Sequence, residues 1–189
     1  RKESSAASDV YKRQKQGFVK DIKLVKSPNF DNRPNETEIT LLVIHNISLP
    51  PGIYGGKFIE NFFTNSLDPT IDPFFYKIKD IKVSAHFVIE RTGSLIQYVS
   101  AVKRAWHAGE SFWNGRSDCN DYSIGIELEG SDNIEYTDIQ YAKLNALIEC
   151  LTEAYPIKDV VGHSDIAPKR KTDPGPSFRW DKIKLFKKT

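Results

Sequence analysis

The chain has 189 residues, a length typical of one domain with a substantial apolar core. With 39% hydrophobic and 28% charged residues, it has the composition of a water-soluble globular protein, which excludes a fibrous or largely disordered chain. The net charge of +2 gives no reason to expect nucleic-acid binding, and the sequence has no apolar run of about 18 residues that would predict a membrane span. We therefore expect a protein that binds neither nucleic acid nor membrane. A monomer is our expectation for its oligomeric state, although neither feature determines it.

The two cysteines and the amino-terminal segment bear on location. Cys119 and Cys150 lie far apart in sequence, so we expect two free thiols and a reducing compartment. The first residues contain no apolar stretch like that of a secretory signal, and we expect a cytoplasmic protein. Residues 1–15 are small, polar and without periodicity, which predicts a disordered or non-native segment ahead of one domain over residues 16–189.

Several segments have the composition of β-strands. The apolar, β-branched candidates for buried strands are ITLLVIHNI (39–47), YSIGIELEG (122–130) and KDVVGH (158–163). In the second of these, the apolar residues alternate with Gly125, Glu127 and Glu129, which therefore share the opposite face. The runs VSAHFVIE and SLIQYVS flank a short glycine-containing turn and predict a β-hairpin.

Two segments between these strands predict helices. GGKFIENFFTNSL can form a short helix with three phenylalanines on one side. Thr137 and Gln140 form a capping-box pattern, and leucines then recur every three or four residues until Pro156. Interleaved strands and helices with one hairpin predict an α+β fold, with a central mixed β-sheet flanked by helices.

Two of the four histidines are candidates for metal ligands. His45 and His163 both fall where an apolar strand gives way to a loop, which is where scaffolds present functional side chains. A catalytic zinc takes three protein ligands and leaves a fourth position open. Asp165 and Asp173 are both candidates for the third ligand, and spacing does not choose between them, although Asp165 is close to His163 in sequence.

Amide hydrolysis also needs a base for the water and a proton for the leaving amine. Glu127 or Glu129 could supply both, unless they are ordinary glutamates on a solvent-facing edge strand. Lys171 could stabilise a developing oxyanion, although a lysine in the sequence KRK is more often solvated. The residues alone leave these alternatives open.

Five blocks of the sequence resemble one known family in order and spacing. They are VIHNISLPPGIYGG, VSAHFVIERTGSLIQYV, KRAWHAG, CNDYSIGIELEG and GHSDIAPKRKTDPGPSF. They are similar to AmpD-type 1,6-anhydro-N-acetylmuramyl-L-alanine amidases, members of the zinc amidase superfamily that includes peptidoglycan recognition proteins. The resemblance extends from about residue 17 to the end of the chain, and five blocks in the same order are far more specific than any one of them.

The resemblance implies a catalytic site with one Zn²⁺ per chain. It implies that His45, His163 and Asp173 bind the zinc, that Glu127 is the general base and acid, and that Lys171 assists at the transition state. It also implies a small muropeptide substrate, cleaved at the amide between the lactyl group of anhydromuramic acid and L-alanine during cytoplasmic cell-wall recycling.

The resemblance further implies a set of residues that contact the substrate. They are Asn46, Trp106, His107 and Arg170. An indole suits the face of a sugar, and a guanidinium suits the carboxylates of a peptide. Where the resemblance leads us to expect arginines, this chain has Lys82 and Asp118, which changes how the peptide would be anchored.

Two other functions are compatible with such a resemblance. A muropeptide-binding module without activity would have lost a metal ligand, whereas this chain has all three and Glu127. An amidase acting on intact peptidoglycan would work outside the cytoplasm. The sequence favours the zinc amidase of cell-wall recycling.

Overall fold

A computed structural model describes residues 17–185. Its strands are β1 (Lys23–Leu24), β2 (Phe30–Asn32), β3 (Leu41–Ile47), β4 (Phe87–Ile89), β5 (Leu95–Gln97), β6 (Lys103–Ala105), β7 (Phe112–Trp113), β8 (Arg116–Ser117), β9 (Ser123–Glu129) and β10 (Asp159–Gly162). Its helices are α1 (Phe58–Phe63), α2 (Pro73–Ile78), α3 (Asp138–Ala154) and α4 (His163–Ile166), and short 3₁₀ turns form at Cys119–Asp121 and Trp180–Lys182. None of the helices in the described part combines the length and apolar character needed to cross a membrane.

The segment 1–15, which the sequence predicts to be disordered or non-native, lies outside the described residues. The assignment of residues 16–189 to one domain stays a prediction.

Six strands form one mixed sheet in the order β1-β5-β4-β9-β3-β10. The pairs along β4, β9, β3 and β10 are parallel, whereas β4 and β5 form the antiparallel hairpin that the sequence predicts. Two-stranded sheets, β2 with β6 and β7 with β8, lie outside it. The predicted α+β fold with a central mixed sheet flanked by helices is confirmed.

Helix α3 covers one face of this sheet. Its buried residues include Leu144, Leu147, Ile148 and Leu151, which pack against alternate apolar residues of β3 and β9. The predicted capping box begins the helix: the Gln140 amide N–H donates to Thr137 Oγ1 at 3.3 Å, and the Thr137 amide N–H donates to Gln140 Oε1 at 3.0 Å. This local signal and the leucine spacing account for the position of α3.

The opposite face changes from apolar to polar along β3 and β9. Leu41 and Val43 pack there with residues such as Tyr122 and Val161. Further along, His45 pairs in register with Glu127, so both side chains project from the same face. All seven residues of β9 are buried, so the interpretation of Glu127 as a glutamate on a solvent-facing edge strand is wrong.

Candidate metal centre and active site

Three side chains converge where β3 and β10 approach their carboxyl ends. His45 Nδ1 lies 2.9 Å from His163 Nδ1, and Asp173 Oδ2 lies 3.2 Å from the first nitrogen and 3.1 Å from the second. Ligands bound to a tetrahedral ion at about 2.0 Å are about 3.3 Å apart, so these three atoms have the spacing of a metal-binding group. Both imidazoles are buried, and the Asp173 side chain is 14% exposed.

The sheet register brings the two histidines together. Gly162 of β10 pairs with Ile44 of β3, so the next residue on each strand, His163 and His45, is also adjacent. His163 begins helix α4 rather than a loop, and His45 lies two residues before the end of β3. These are small corrections to the expected placement at strand–loop junctions.

The loop after α4 returns Asp173 to the histidines. The Ser164 amide donates to the Asp173 carbonyl at 2.9 Å, and Asn46 Nδ2 donates to the Pro174 carbonyl at 3.2 Å. Gly162 leaves space for this return, because a Cβ there would lie 2.7 Å from Pro174 Cδ. Hydrogen bonds to the backbone carbonyls of Asp173 and Pro174 therefore place the Asp173 carboxylate, although Asp173 is ten residues from His163 in sequence.

The other carboxylates that the sequence left open have different partners. Asp165 Oδ2 accepts a hydrogen bond from the Gly162 amide at 2.7 Å, so it caps the start of α4. Glu129 accepts from the amides of Gly55 and Arg91, the second at 3.0 Å, and it supports two loops. Asp173 and Glu127 are the carboxylates that face the histidines.

The outer nitrogens of both histidines have hydrogen-bond partners. His163 Nε2 lies 3.0 Å from the Ala108 carbonyl, which can only accept, so Nε2 carries the proton and Nδ1 keeps its lone pair. His45 Nε2 lies 2.9 Å from His107 Nδ1. Burial lowers the pKa of His45 to about 4, so this imidazole is neutral at neutral pH.

Glu127 lies beside this group and is buried. Burial raises the pKa of Glu127 well above its usual range; the charge of Asp173 raises it further, and the Lys171 ammonium acts in the opposite direction. Among the described residues, Glu127 Oε2 has no hydrogen-bond partner. A buried carboxyl with one oxygen unpaired and a raised pKa is suited to proton transfer.

A single pocket of about 380 Å³ joins these groups. It is lined by all nine predicted site residues: His45, Asn46, Trp106, His107, Glu127, His163, Arg170, Lys171 and Asp173. Phe62, Phe74 and Ile78, from α1 and α2, form an apolar wall that sequence reasoning did not assign to the site. Phenylalanines at helical spacing indicate packing, and only the path of the chain shows that some of them face a cavity.

Contacts of the predicted substrate-binding residues hold the pocket in shape. Asn46 Nδ2 donates to Asp132 Oδ1 at 2.8 Å, and Asp132 is a pocket residue that sequence reasoning missed. Arg170 Nη2 donates to the carbonyls of Ala108 and Glu110, at 2.7 and 2.8 Å. Asp132 closely follows the carboxyl end of β9, a position that could have indicated it.

The Trp106 side chain has a hydrogen-bond partner in Asp31 of β2. Hydrogen bonds from Arg104 and then from Trp106 keep the pKa of Asp31 below its usual range. Lys82 and Asp118, the positions where arginines are expected, are both exposed.

Comparison with known proteins identifies the family. Residues 35–176 match the family model described as N-acetylmuramoyl-L-alanine amidase. The chain belongs to this family. It is 51% identical over 173 residues to the 1,6-anhydro-N-acetylmuramyl-L-alanine amidase AmpD of Escherichia coli K12, covering 90% of this chain and 94% of the relative. The prediction of an N-acetylmuramoyl-L-alanine amidase is thereby confirmed.

Solved structures agree with the fold. A crystal structure of a selenomethionine derivative of AmpD is 50% identical, covers 89% of this chain and 95% of its own, and superposes with a TM-score of 0.87. The amidase AmiD of Escherichia coli, in complex with the substrate anhydro-N-acetylmuramic acid-L-Ala-D-gamma-Glu-L-Lys, is 31% identical with a TM-score of 0.55. That match covers 80% of this chain and 59% of AmiD.

Proposed function

We propose that this amidase is zinc-dependent and that it cleaves the amide between the lactyl group of 1,6-anhydro-N-acetylmuramic acid and L-alanine in soluble muropeptides. The observation that carries the proposal is the convergence of His45, His163 and Asp173 in the same pocket as Glu127. The catalytic and metal-binding roles of these residues are part of the proposal.

The ligand group fits a divalent cation. His163 Nδ1 presents a lone pair, because Nε2 donates its proton to the Ala108 carbonyl; His45 Nδ1 and a carboxylate oxygen of Asp173 complete the group. Three acceptors at this spacing repel one another unless a cation or a proton lies between them. Two imidazoles and one carboxylate are a common ligand set of catalytic zinc, which keeps a further position for water or substrate.

The residues around the metal ligands have complementary tasks. When bound, zinc supplies Lewis acidity at the scissile carbonyl and makes an attacking water more acidic. Glu127 takes the proton of that water and delivers it to the departing nitrogen, for which its raised pKa is suited. Lys171 places a positive charge where the carbonyl oxygen becomes negative.

The substrate assignment is supported by two relatives. AmpD is named for 1,6-anhydro-N-acetylmuramyl-L-alanine, and AmiD was solved with an anhydromuramyl peptide. In this chain the Trp106 indole and the apolar wall from α1 and α2 can pack against the sugar face, while Asn46 and Arg170 offer polar groups to the peptide.

A direct assay tests this proposal. Purified protein is incubated with anhydromuramyl-tripeptide before and after treatment with a chelator, and after zinc is restored. We expect release of free tripeptide that chelation abolishes and zinc restores. Release that chelation leaves unchanged would reject zinc chemistry, and tight binding of the peptide without release would favour a binding module.

A second comparison tests the choice of substrate. Rates are measured on soluble anhydromuramyl-tripeptide and on polymeric peptidoglycan at matched concentrations of stem peptide. We expect the soluble fragment to be the better substrate, and faster cleavage of the polymer would contradict a role in recycling. Cytoplasmic location and a monomeric state stay predictions, which cell fractionation and light scattering would test.

A further inference from the structure

His107 contacts the proposed metal ligand His45 directly. Its side chain is buried, and both ring nitrogens have protein partners: Nδ1 lies 2.9 Å from His45 Nε2, and Nε2 lies 3.3 Å from Ser123 Oγ. The His45 and His107 rings meet edge to face at 5.0 Å between centroids. A substrate contact therefore has no free nitrogen on His107 to use.

The direction of these hydrogen bonds follows if His45 binds a metal through Nδ1, which is the part of this argument that depends on the proposed function. A neutral imidazole that ligates through Nδ1 carries its proton on Nε2. His45 Nε2–H then donates to His107 Nδ1, and His107 Nε2–H donates to Ser123 Oγ. The opposite direction would put a proton on the ligating nitrogen of His45.

Gly125 explains how His107 comes so close to the sheet. Glycine weakens a strand interior, yet Gly125 lies in the middle of the buried strand β9. A Cβ at this position would overlap the Cγ and Nδ1 atoms of the His107 ring. The absence of a side chain at Gly125 lets the imidazole of His107 lie against the strand beside His45.

His86 contacts both Gly125 and the ring of His107. Its Nδ1 accepts the Gly125 amide N–H at 3.0 Å, and its Nε2 lies 3.0 Å from the Lys103 carbonyl. The rings of His86 and His107 are 5.7 Å apart and meet edge to face. The backbone that carries His107 is fixed as well, because Asn120 Oδ1 accepts its amide N–H at 3.1 Å.

We infer that His107 is a positioning residue for the metal ligand His45, and that Gly125 provides the space in which it lies. His107 fixes the tautomer and the ring orientation of His45 by accepting its Nε2–H. Partners of this kind change metal affinity by about 10- to 100-fold when they are removed.

Three substitutions of His107 separate this role from simple packing. In His107→Asn, the amide oxygen can take the place of Nδ1 and accept from His45. In His107→Gln, the amide group reaches the place of Nε2 and leaves His45 without an acceptor, and His107→Leu removes both groups but keeps bulk. Zinc affinity is measured on metal-free protein by competition with a chromogenic chelator, and thermal unfolding of the metal-free proteins monitors folding.

We expect zinc affinity about 10- to 100-fold weaker in the Leu and Gln variants and within about threefold of wild type in the Asn variant. With Co²⁺ in place of zinc, the visible absorption bands should shift in the Leu and Gln variants and stay unchanged in the Asn variant. If His107→Leu fails to fold, the Gln and Asn pair still decides, since both are polar and differ in which nitrogen they replace.

Equal zinc affinity in wild type and in the Leu or Gln variant would overturn the inference. An Asn variant as weak as the other two would also overturn it, because loss of the imidazole ring itself, rather than of its Nδ1 acceptor, would then explain the weaker binding. Wild-type protein without measurable zinc affinity would instead contradict the proposed function.

Gly125→Ala tests the space without touching any metal ligand. The added methyl group must displace the His107 ring, so we expect zinc affinity to fall in the same 10- to 100-fold range. Wild-type zinc affinity in this variant would overturn the part assigned to Gly125.

Discussion

The two faces of the central sheet are built from the same strands, but one face packs the apolar core and the other carries the candidate site. On the face under α3, alternate residues of β3 and β9 are uniformly apolar and pack against leucines of the helix. On the other face, the residues between them change along the same strands from Val43 to His45 and from Gly125 to Glu127. Period-two alternation keeps these two sets separate.

The difference shows how the fold supports a polar, buried site. Burying a carboxyl such as Glu127 without a partner costs free energy, which the apolar packing under α3 can offset. We therefore expect substitutions on the polar face to change chemistry and those on the α3 face to change stability. Substitutions on each face, with kinetics and unfolding measured on the same proteins, test that separation.

Glu127→Gln should abolish most activity while metal binding is kept. The amide is similar in size but cannot take a proton from water, so we expect kcat to fall by about 10³-fold or more. Steady-state kinetics on anhydromuramyl-tripeptide and zinc content per chain are the measurements. Glu135→Gln, which changes an exposed glutamate, is the control and should match wild type. Retained activity in the Glu127 variant would show that Glu127 is not the general base and acid of the reaction.

Lys171→Met should have a smaller effect on the same reaction. It removes a positive charge from the pocket but keeps a chain of similar length, so we expect kcat to fall by about 10²-fold with zinc retained. Lys169→Met, in the neighbouring exposed lysine, should leave kcat unchanged. Equal kinetics in the two variants would assign Lys171 to the solvated surface.

Leu144→Ala tests the apolar face. Leu144 of α3 is fully buried against the sheet, so we expect a loss of about 2–5 kcal/mol in the free energy of unfolding. The kcat of the folded fraction should stay at the wild-type value. Denaturant unfolding and kinetics at low temperature measure both, with the exposed Glu149→Ala as the control within about 0.5 kcal/mol. A large change in kcat would show that the two faces are not independent.

The smallest effect concerns metal-free protein and pH. The pKa of Glu127 is raised in the folded state, because the buried site favours the protonated carboxyl. The stability that this protonated form contributes is fully present below the unfolded pKa of about 4.3 and is lost as pH rises. Glu127→Gln should therefore stabilise the metal-free protein at pH 7, whereas the two proteins should be equally stable at pH 4. Chemical unfolding of both proteins at the two pH values provides the comparison, and a difference that grows towards low pH would have the wrong sign.

Local patterns predicted five of the six strands of the central sheet and the helices α1 and α3. The apolar runs around Val43 and Ile126, the hairpin between β4 and β5, and the capping box at Thr137 each depend on residues close in sequence. The strand ends differ from the predicted runs by one to four residues, because pairing with neighbouring strands decides where a strand stops.

The sequence alone predicts only some of the residues of the candidate site. His45 and His163 were indicated by their positions at the ends of apolar runs, but the choice of Asp173 over Asp165 came from family resemblance. The path of residues 164–173 decides which carboxylate returns, and that path depends on contacts such as Asn46 with Pro174. The partnership of His107 with His45 joins segments 62 residues apart and had no local signal.

We propose that His45, His163 and Asp173 jointly hold one zinc ion. The most direct test is the zinc content of wild type, Glu127→Gln and Asp173→Ala, purified without added metal and measured by mass spectrometry. We predict about one zinc per chain in the first two proteins and a loss of bound zinc in the third. Stoichiometric, tightly held zinc in Asp173→Ala would contradict the account.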